Sequence, residues 1–277
     1  MESLDPRLLT LGRCLLGGAT IAAGLLQLVL GRFVRLVPEP TLWKPFPSAA
    51  AYLVGALLVA LGLGILTARL ARTAATVLGG LLLSNVVLFV ATMIRNPVVD
   101  TPFLRGFMYT NPLKCLALVG GCAIVAGRWP DPGRGPGIGR LEAWAPALLA
   151  LFLLVCGVQH FWYRAFVETM VPAWIPPGQR FWTLFTGAAL CAGGLGILVP
   201  RTARLAALLS GAMILSWVPL LHVPRAIAGP GRANETSGVF EATALGGVAL
   251  MVGATRRRAD AGGFRSPSTL DTAGGVP

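Results

Sequence analysis

The sequence predicts an all-α membrane protein with eight transmembrane helices, arranged as two parallel-related four-helix bundles. The first observation is composition: hydrophobic residues make up 55% of the chain and charged residues 12%, whereas a soluble chain carries about 25% charged residues. The second is eight apolar runs near the length of about 20 residues that a bilayer requires. The third is a match between the two halves of the chain.

The charge pattern indicates lipid, not nucleic acid, as the partner. The net charge of +12 comes from 23 basic and 11 acidic residues. The basic residues stand singly between apolar runs, as in loops that face lipid headgroups. No basic stripe is interleaved with aromatic residues in the way that nucleic-acid binding requires. The strong preference for Arg over Lys is typical of high-GC bacterial coding, so we expect a bacterial inner membrane protein.

Hydropathy divides the chain into two units. We predict a first unit over 1–127 and a second over 143–254. The predicted spans lie near 8–31, 48–67, 71–94, 112–127, 143–163, 180–199, 203–222 and 238–254. The linker 128–142 is too rich in Pro, Gly and charge to cross lipid, and the polar tail 255–277 has a composition typical of disorder. The acidic start of the chain has no cleavage site, so we expect the first span to be retained as a signal anchor.

An internal match predicts that the two units arose by tandem duplication. Residues 62–85 and 194–217 are identical at 13 of 24 positions without a gap. The identities include five consecutive residues at the start of each block and two arginines in register. Each unit has an even number of crossings, so the second enters from the same side as the first. The halves are therefore expected to be parallel, related by an approximate two-fold axis along the membrane normal.

The same topology assigns the connections to faces. The short turns at 67–71 and 199–203 share one face with both termini, and the long connections share the other, which we call the outer face. The face with the termini holds 13 of the 23 basic residues, including Arg256, Arg257 and Arg258 directly after the last span. The positive-inside rule then predicts a cell-membrane protein whose two termini are cytoplasmic.

Several motifs of the second unit resemble the DoxX-like membrane proteins. They are Gln159-His160-Phe161 at the end of the fifth span, Val171-Pro172 in the following loop, and the Gly-rich Gly194–Leu198. The resemblance implies a four-helix unit and, in some relatives, association with redox complexes, including the membrane subunit of a thiosulfate:quinone oxidoreductase. The first unit departs from this pattern, because Gln27 and Leu28 stand where the His-Phe pair is expected. Chemistry assigned to the histidine therefore belongs to the second unit alone.

The two histidines are the candidate site residues. His160 and His222 end spans that run toward the same outer face, and adjacent helix ends in one bundle lie within roughly 10–15 Å, since neighbouring axes are 8–10 Å apart. Imidazole can bond a quinone carbonyl, bind a metal or move a proton. We hypothesise one outward-facing pocket whose ligand-binding residues are His160, His222, Gln159, Trp162, Trp174 and Glu241. The alternative is that histidines and tryptophans are ordinary interfacial anchors.

Other polar residues in the spans have simpler interpretations. No third ligand lies at helical spacing from either histidine, so a metal site is not expected. Lys114 and Glu241 stand near span ends, where ionisable groups snorkel or form pairs. Arg13 lies deeper in its span and is expected to need a partner.

These patterns favour a non-catalytic or redox-associated membrane subunit that binds a lipophilic, quinone-like ligand or a redox partner protein at the outer face. The alternatives are a transporter of a small solute and a structural membrane scaffold. The span centres hold no Asp, Glu or Lys, which disfavours an ion-coupled carrier. No nucleophile motif or closed metal site is present. We therefore expect no self-sufficient enzyme; an enzymatic role would be that of a subunit of a quinone-linked oxidoreductase.

Overall fold

The computed structural model describes residues 5–34, 47–95, 102–129, 137–229 and 233–256, and these residues form helices and no strands. The α-helices are α1 (Pro6–Leu30), α2 (Pro47–Leu66), α3 (Ala71–Arg95), α4 (Pro102–Arg128), α5 (Ala145–Trp162), α6 (Arg164–Glu168), α7 (Gln179–Leu198), α8 (Ala203–Trp217), α9 (Val223–Ala228) and α10 (Ala233–Ala254). A 3₁₀-helix, Gly137–Trp144, precedes α5, and a π-helical turn, Val218–His222, joins α8 to α9.

The predicted fold class is confirmed. Among the described residues, eight helical segments are long and apolar enough to span a membrane. Helices α8 and α9 form one of these segments together with the π-helical turn, and α6 is too short to cross. A helix satisfies its backbone hydrogen bonds internally, which a segment surrounded by lipid requires. The chain is an all-α, multi-pass membrane protein.

One predicted span boundary, next to a proline, is wrong. Helix α4 begins at Pro102 and continues through Pro112, and its membrane-spanning part, Thr110–Arg128, agrees with the predicted span near 112–127. The seventh span continues to Ala228, beyond the predicted end at 222. Proline interrupts a helical hydrogen bond, but local π adjustments and neighbouring helices accommodate it in membrane helices; here the π-helical turn, Val218–His222, contains Pro219 and ends two residues before Pro224.

The predicted linker and tail are described only in part. The end of the linker 128–142 forms the start of the 3₁₀-helix that leads into α5, and residues 130–136 lie outside the described residues. Of the predicted tail 255–277, the residues from 257 onward also lie outside them. The expectation of disorder there stays a prediction.

Helix packing crosses the boundary between the two sequence units. Within the units, α1 packs on α2, α3 on α4, α5 on α7, and α8 on α10. Between the units, α10 packs on α1, α4 packs on α5, and α4 and α10 contact each other. The last helix of each unit thus lies against the first helix of the other. The division into two four-helix bundles stays a prediction, and the described units share one core.

Helices α4 and α10 are the most enclosed spans. Their apolar segments are 67% and 78% buried, and their mean hydropathies of 1.3 and 1.4 are the lowest of the eight. A helix that contacts other helices instead of lipid tails does not need a uniformly apolar surface. These two central helices are therefore well placed to carry charged side chains.

Glycines allow the first two long helices of each unit to approach closely. A Cβ atom added at Gly62 would lie 2.7 Å from the carbonyl oxygen of Gly17, and one at Gly194 would lie 2.9 Å from that of Ala150. Both contacts are with backbone, which side-chain rotation cannot relieve. Small residues at such positions allow tight van der Waals packing in lipid. The equivalent contacts are those that a duplicated unit would make.

Arg13 has the partner that its depth in the membrane predicted. The side chain is buried, and Nη1 donates a hydrogen bond of 3.0 Å to the carbonyl oxygen of Ile65, at the end of α2. Its guanidinium carbon lies 4.9 Å from the ring centroid of Trp129. A cation is favourable beside the carbonyls that end a helix and over an aromatic face. These contacts lie on the face opposite the long connections.

Candidate functional site

A cavity of about 440 Å³ lies among α4, α5, α7, α8 and α10, toward the outer face. Ligand pockets in proteins commonly measure about 300–1,000 Å³ and form between the helices of bundles. Apolar side chains from four helices supply much of the wall, among them Phe152, Leu190, Met213 and Leu245. The polar groups are concentrated on a few residues of α4, α5, α7, α9, α10 and the π-helical turn.

His160 lies in the last turn of α5 and lines this cavity. Its Nδ1 is 2.7 Å from the carbonyl oxygen of Cys156, one turn earlier in the same helix. A carbonyl oxygen only accepts, so Nδ1 carries the hydrogen and donates it. In the neutral ring, Nε2 is then an acceptor.

His222 lines the same cavity from the π-helical turn after α8. Its ring packs against α10 at Gly238, where an added Cβ would lie 3.0 Å from Nδ1. Glycine at this position allows the imidazole to lie directly against the helix. The structure therefore brings the two histidines to one cavity, as the sequence analysis hypothesised.

Two ion pairs border the cavity. Lys114 of α4 donates from Nζ to Oε2 of Glu241 in α10, with both side chains largely buried. Arg225 of α9 binds Glu235 through two hydrogen bonds of 2.8 Å, from Nε and Nη2. A bidentate Arg–carboxylate pair has a defined geometry as well as favourable charge.

One face of α10 organises these groups. Glu235, Gly238 and Glu241 are spaced three residues apart, and residues at this spacing lie along one side of a helix. All three line the cavity. The ring of His222 at Gly238 therefore lies between the two carboxylates along α10, and each carboxylate is held by a cation from another helix.

Some polar side-chain atoms at the cavity have hydrogen-bond partners and others have none among the described residues. Thr110 of α4 donates to Oε1 of Gln159 over 2.8 Å. Within the described residues, Thr183 Oγ1 and Glu241 Oε1 are buried without a hydrogen-bond partner, and their side chains belong to residues that are 1% and 7% exposed. A buried polar atom without a partner is unfavourable by about 1–3 kcal/mol. Both residues line the cavity, so a bound molecule is one way to satisfy them.

The two predicted tryptophans do not border the cavity, and their role in ligand binding stays a prediction. Trp162 and Trp174 are 73% and 67% exposed and do not line the cavity. Trp182 and Trp217 line it instead, and their rings meet edge to face with centroids 5.7 Å apart. Trp162, Trp182 and Trp217 lie near helix ends, whereas Trp174 lies in the loop before α7. For the three on helices, the rotation of the helix about its axis decides whether the ring faces the cavity or the outside.

Four of the six predicted residues line the cavity: His160, His222, Gln159 and Glu241. The sequence analysis missed Thr183, Arg225 and the role of Lys114. A usable signal existed for the last of these. Lys114 and Glu241 have opposite charges near the starts of two spans that run in the same direction, so they lie at similar depth. Thr183 had no comparable signal, because threonine is common on membrane helices.

The described residues contain no group of three or more His, Cys, Asp or Glu side chains that could hold a metal ion. The polar groups around the cavity are better suited to hydrogen bonding with an organic ligand. A small number of placed polar groups in an otherwise apolar wall is the usual composition of such pockets.

Comparison with known proteins identifies a domain over part of this region. Residues 149–227 match a family described as a domain of unknown function (DUF8561). The match runs from α5 to α9 and so includes both histidines, but neither α4 nor α10. No curated protein and no solved structure matches the chain. The resemblance to the DoxX-like proteins stays a prediction.

Proposed function

We propose that this protein binds a lipophilic molecule with a quinone-like head group in the cavity, as a non-catalytic or redox-associated membrane subunit. The observation that carries the proposal is one cavity, inside the helix bundle, that combines apolar walls with His160, His222 and the Lys114–Glu241 ion pair. Ionisable groups within membrane spans are costly and usually have a functional role.

The cavity composition suits a ring with polar substituents and an apolar tail. Phe152, Trp182 and Trp217 supply flat apolar surfaces, while the histidines and Thr183 supply hydrogen-bonding atoms at the edge. A quinone head group has this character, since its ring is flat and its oxygens lie at opposite ends. The cavity lies among membrane helices, so a lipophilic ligand would reach it from the bilayer.

The wider setting of the proposal comes from the sequence. The DoxX-like motifs favour a role beside a redox partner protein, and the positive-inside pattern favours a cell membrane with both termini cytoplasmic. The exposed Trp162 and Trp174 at the cavity face supply aromatic surface for lipid headgroups or for such a partner.

Thermal unfolding of the purified full-length protein in detergent tests ligand binding. We expect ubiquinone-1, added in its oxidised and in its reduced form, to raise the Tm in at least one form, because a ligand that binds the folded state stabilises it by mass action. His160→Ala and His222→Ala are expected to reduce this increase. Trp162→Ala and Trp174→Ala are matched controls at exposed positions and should retain it.

The proposal is wrong if neither form changes the Tm of the wild-type protein at concentrations that saturate known quinone sites. It is also wrong if both histidine variants respond as fully as the wild type. A response that is lost in the tryptophan variants instead would place the ligand on the outer surface and not in the cavity.

A further inference from the structure

Two residues that line the cavity, His160 and Glu241, offer hydrogen-bond acceptors to a ligand. His160 uses its Nδ1–H on the carbonyl oxygen of Cys156, which leaves Nε2 of the neutral ring as an acceptor. Glu241 is a carboxylate whose Oε2 receives Lys114 and whose Oε1 has no partner among the described residues. An ionised carboxylate accepts and does not donate.

The charged donors at the cavity already bind acceptors. The ammonium group of Lys114 donates one of its three hydrogens to Glu241. Arg225 donates to both oxygens of Glu235 and, over 3.4 Å, to the carbonyl oxygen of Thr169. The hydroxyl of Thr110 donates to Gln159. The remaining groups, such as Asn111, Thr183 and His222, can donate or accept and so serve either kind of ligand.

Thr183 and Glu241 are positioned to respond to a donor. Their unpartnered oxygens are buried, and both residues line the cavity from different helices, α7 and α10. A small rotation of either side chain would turn its oxygen toward a ligand. A hydroxyl that donates to Glu241 Oε1 would form a charge-assisted hydrogen bond, which is shorter and stronger than a neutral one.

The two redox forms of a quinone differ in this respect. A quinone carries two carbonyl oxygens and only accepts, whereas the quinol carries two hydroxyl groups and donates. Resting on the proposed ligand site, we propose that the cavity binds the quinol form more tightly than the quinone form. Glu241 Oε1 and His160 Nε2 are the acceptors, and Thr183 Oγ1 completes the hydrogen bonding.

Three probes with one ring system isolate the donor: tetramethylhydroquinone, its dimethyl ether and tetramethylbenzoquinone. Binding is measured by quenching of tryptophan fluorescence in the full-length protein in nanodiscs under anaerobic conditions. A hydrogen bond to a charged group contributes more to the binding free energy than a neutral one does. We therefore expect the dissociation constant of the hydroquinone to be at least about tenfold lower than those of the other two probes. The dimethyl ether keeps the ring and loses both donors, so it should bind as weakly as the quinone.

Variants at Thr183 test the geometry without removing a charge. Thr183→Val replaces the hydroxyl by a methyl group of similar size and should reduce hydroquinone affinity roughly fivefold. Thr183→Ser should restore it. Thr20→Val is the matched control, because Thr20 is also a buried threonine but donates within α1 to the carbonyl oxygen of Leu16. The Thr20→Val variant should bind the hydroquinone as tightly as the wild type does.

Equal or tighter binding of the quinone would overturn the quinol preference and leave the proposed ligand site intact. An unchanged hydroquinone affinity in the Thr183→Val variant would also overturn the quinol preference. If none of the three probes binds, and ubiquinone-1 also fails to stabilise the protein, the proposed function itself is wrong.

Discussion

The outer ends of α1 and α5 each contain a glutamine at corresponding positions, but the two side chains form hydrogen bonds with different parts of the molecule. Gln27 of α1 is fully buried; it donates to the carbonyl oxygen of Ala51 over 2.8 Å and accepts from the backbone nitrogen of Val34 over 3.4 Å. Gln159 of α5 is half-buried and accepts from Thr110 of α4. The first glutamine is satisfied within its own unit, and the second contacts a helix of the other unit.

This difference separates a packed helix end in the first unit from a helix end that borders a cavity in the second. The repeat offset that aligns Gln27 with Gln159 also aligns Ala51 with Thr183. Where the first unit has a backbone carbonyl that receives the glutamine, the second has a threonine whose hydroxyl is buried without a partner among the described residues. The hydrogen bond of Gln27 to Ala51 joins two neighbouring helices. The buried hydroxyl of Thr183 is instead available to a ligand in the cavity. The expectation of a single site, in the second unit, stays a prediction.

The largest effect should come from the ion pair that spans the central helices at the cavity. Lys114→Met leaves Glu241 buried without its cation, and breaking a buried pair in this way is unfavourable by about 3–5 kcal/mol. We expect a corresponding fall in the free energy of unfolding, measured by denaturation in mixed detergent micelles. Lys114→Met combined with Glu241→Met should regain most of it, because an apolar pair avoids the cost of desolvating the charges.

The exposed pair Arg164–Glu168 is the matched control for that experiment. Its side chains are 47% and 28% exposed, with Nε and Oε1 3.4 Å apart. Such pairs are worth at most about 1 kcal/mol, so Arg164→Met should have little effect on the free energy of unfolding. A similar small loss for Lys114→Met would show that the central pair does not hold the cavity side of the molecule together.

Glycine-to-alanine variants test whether helix packing is equivalent in the two units. Gly62→Ala and Gly194→Ala should each be destabilising by about 1–3 kcal/mol, because the added Cβ meets the backbone of the neighbouring helix. Gly18→Ala and Gly80→Ala are the controls; nothing lies within 4 Å of either added Cβ, and alanine favours a helix over glycine. Strongly unequal losses at Gly62 and Gly194, measured by thermal unfolding, would argue against equivalent packing in the two units.

The smallest effect should come from the glutamines, where the units diverge. Gln27→Leu removes hydrogen bonds inside the bundle, which average about 0.6 kcal/mol and reach about 1.7 kcal/mol in membrane proteins. It should lower the Tm and leave the response to ubiquinone-1 unchanged. Gln159→Leu should instead reduce that response with a smaller change in Tm, because Gln159 borders the cavity. The reverse pattern would contradict the distinction between a packed end and an open end.

The ligand-binding hypothesis drew on features that sequence can show. His160 and His222 end predicted spans that run in the same direction, so topology alone predicted one depth and one face for both. The tryptophans could not be assigned in this way. Trp162 and Trp182 both lie near the outer face, yet the first is exposed and the second lines the cavity. Depth follows from position along a span, whereas orientation depends on which helix packs beside it.

The sequence by itself determined the eight apolar helical segments, because lipid imposes length and apolarity locally. The tertiary structure decided that α4 and α10 are central and that Lys114 meets Glu241. That pairing joins residues far apart in the chain. Its physical reason is burial: helices enclosed by other helices can carry charge where spans facing lipid cannot, and which helices are enclosed follows from the packing of all eight together.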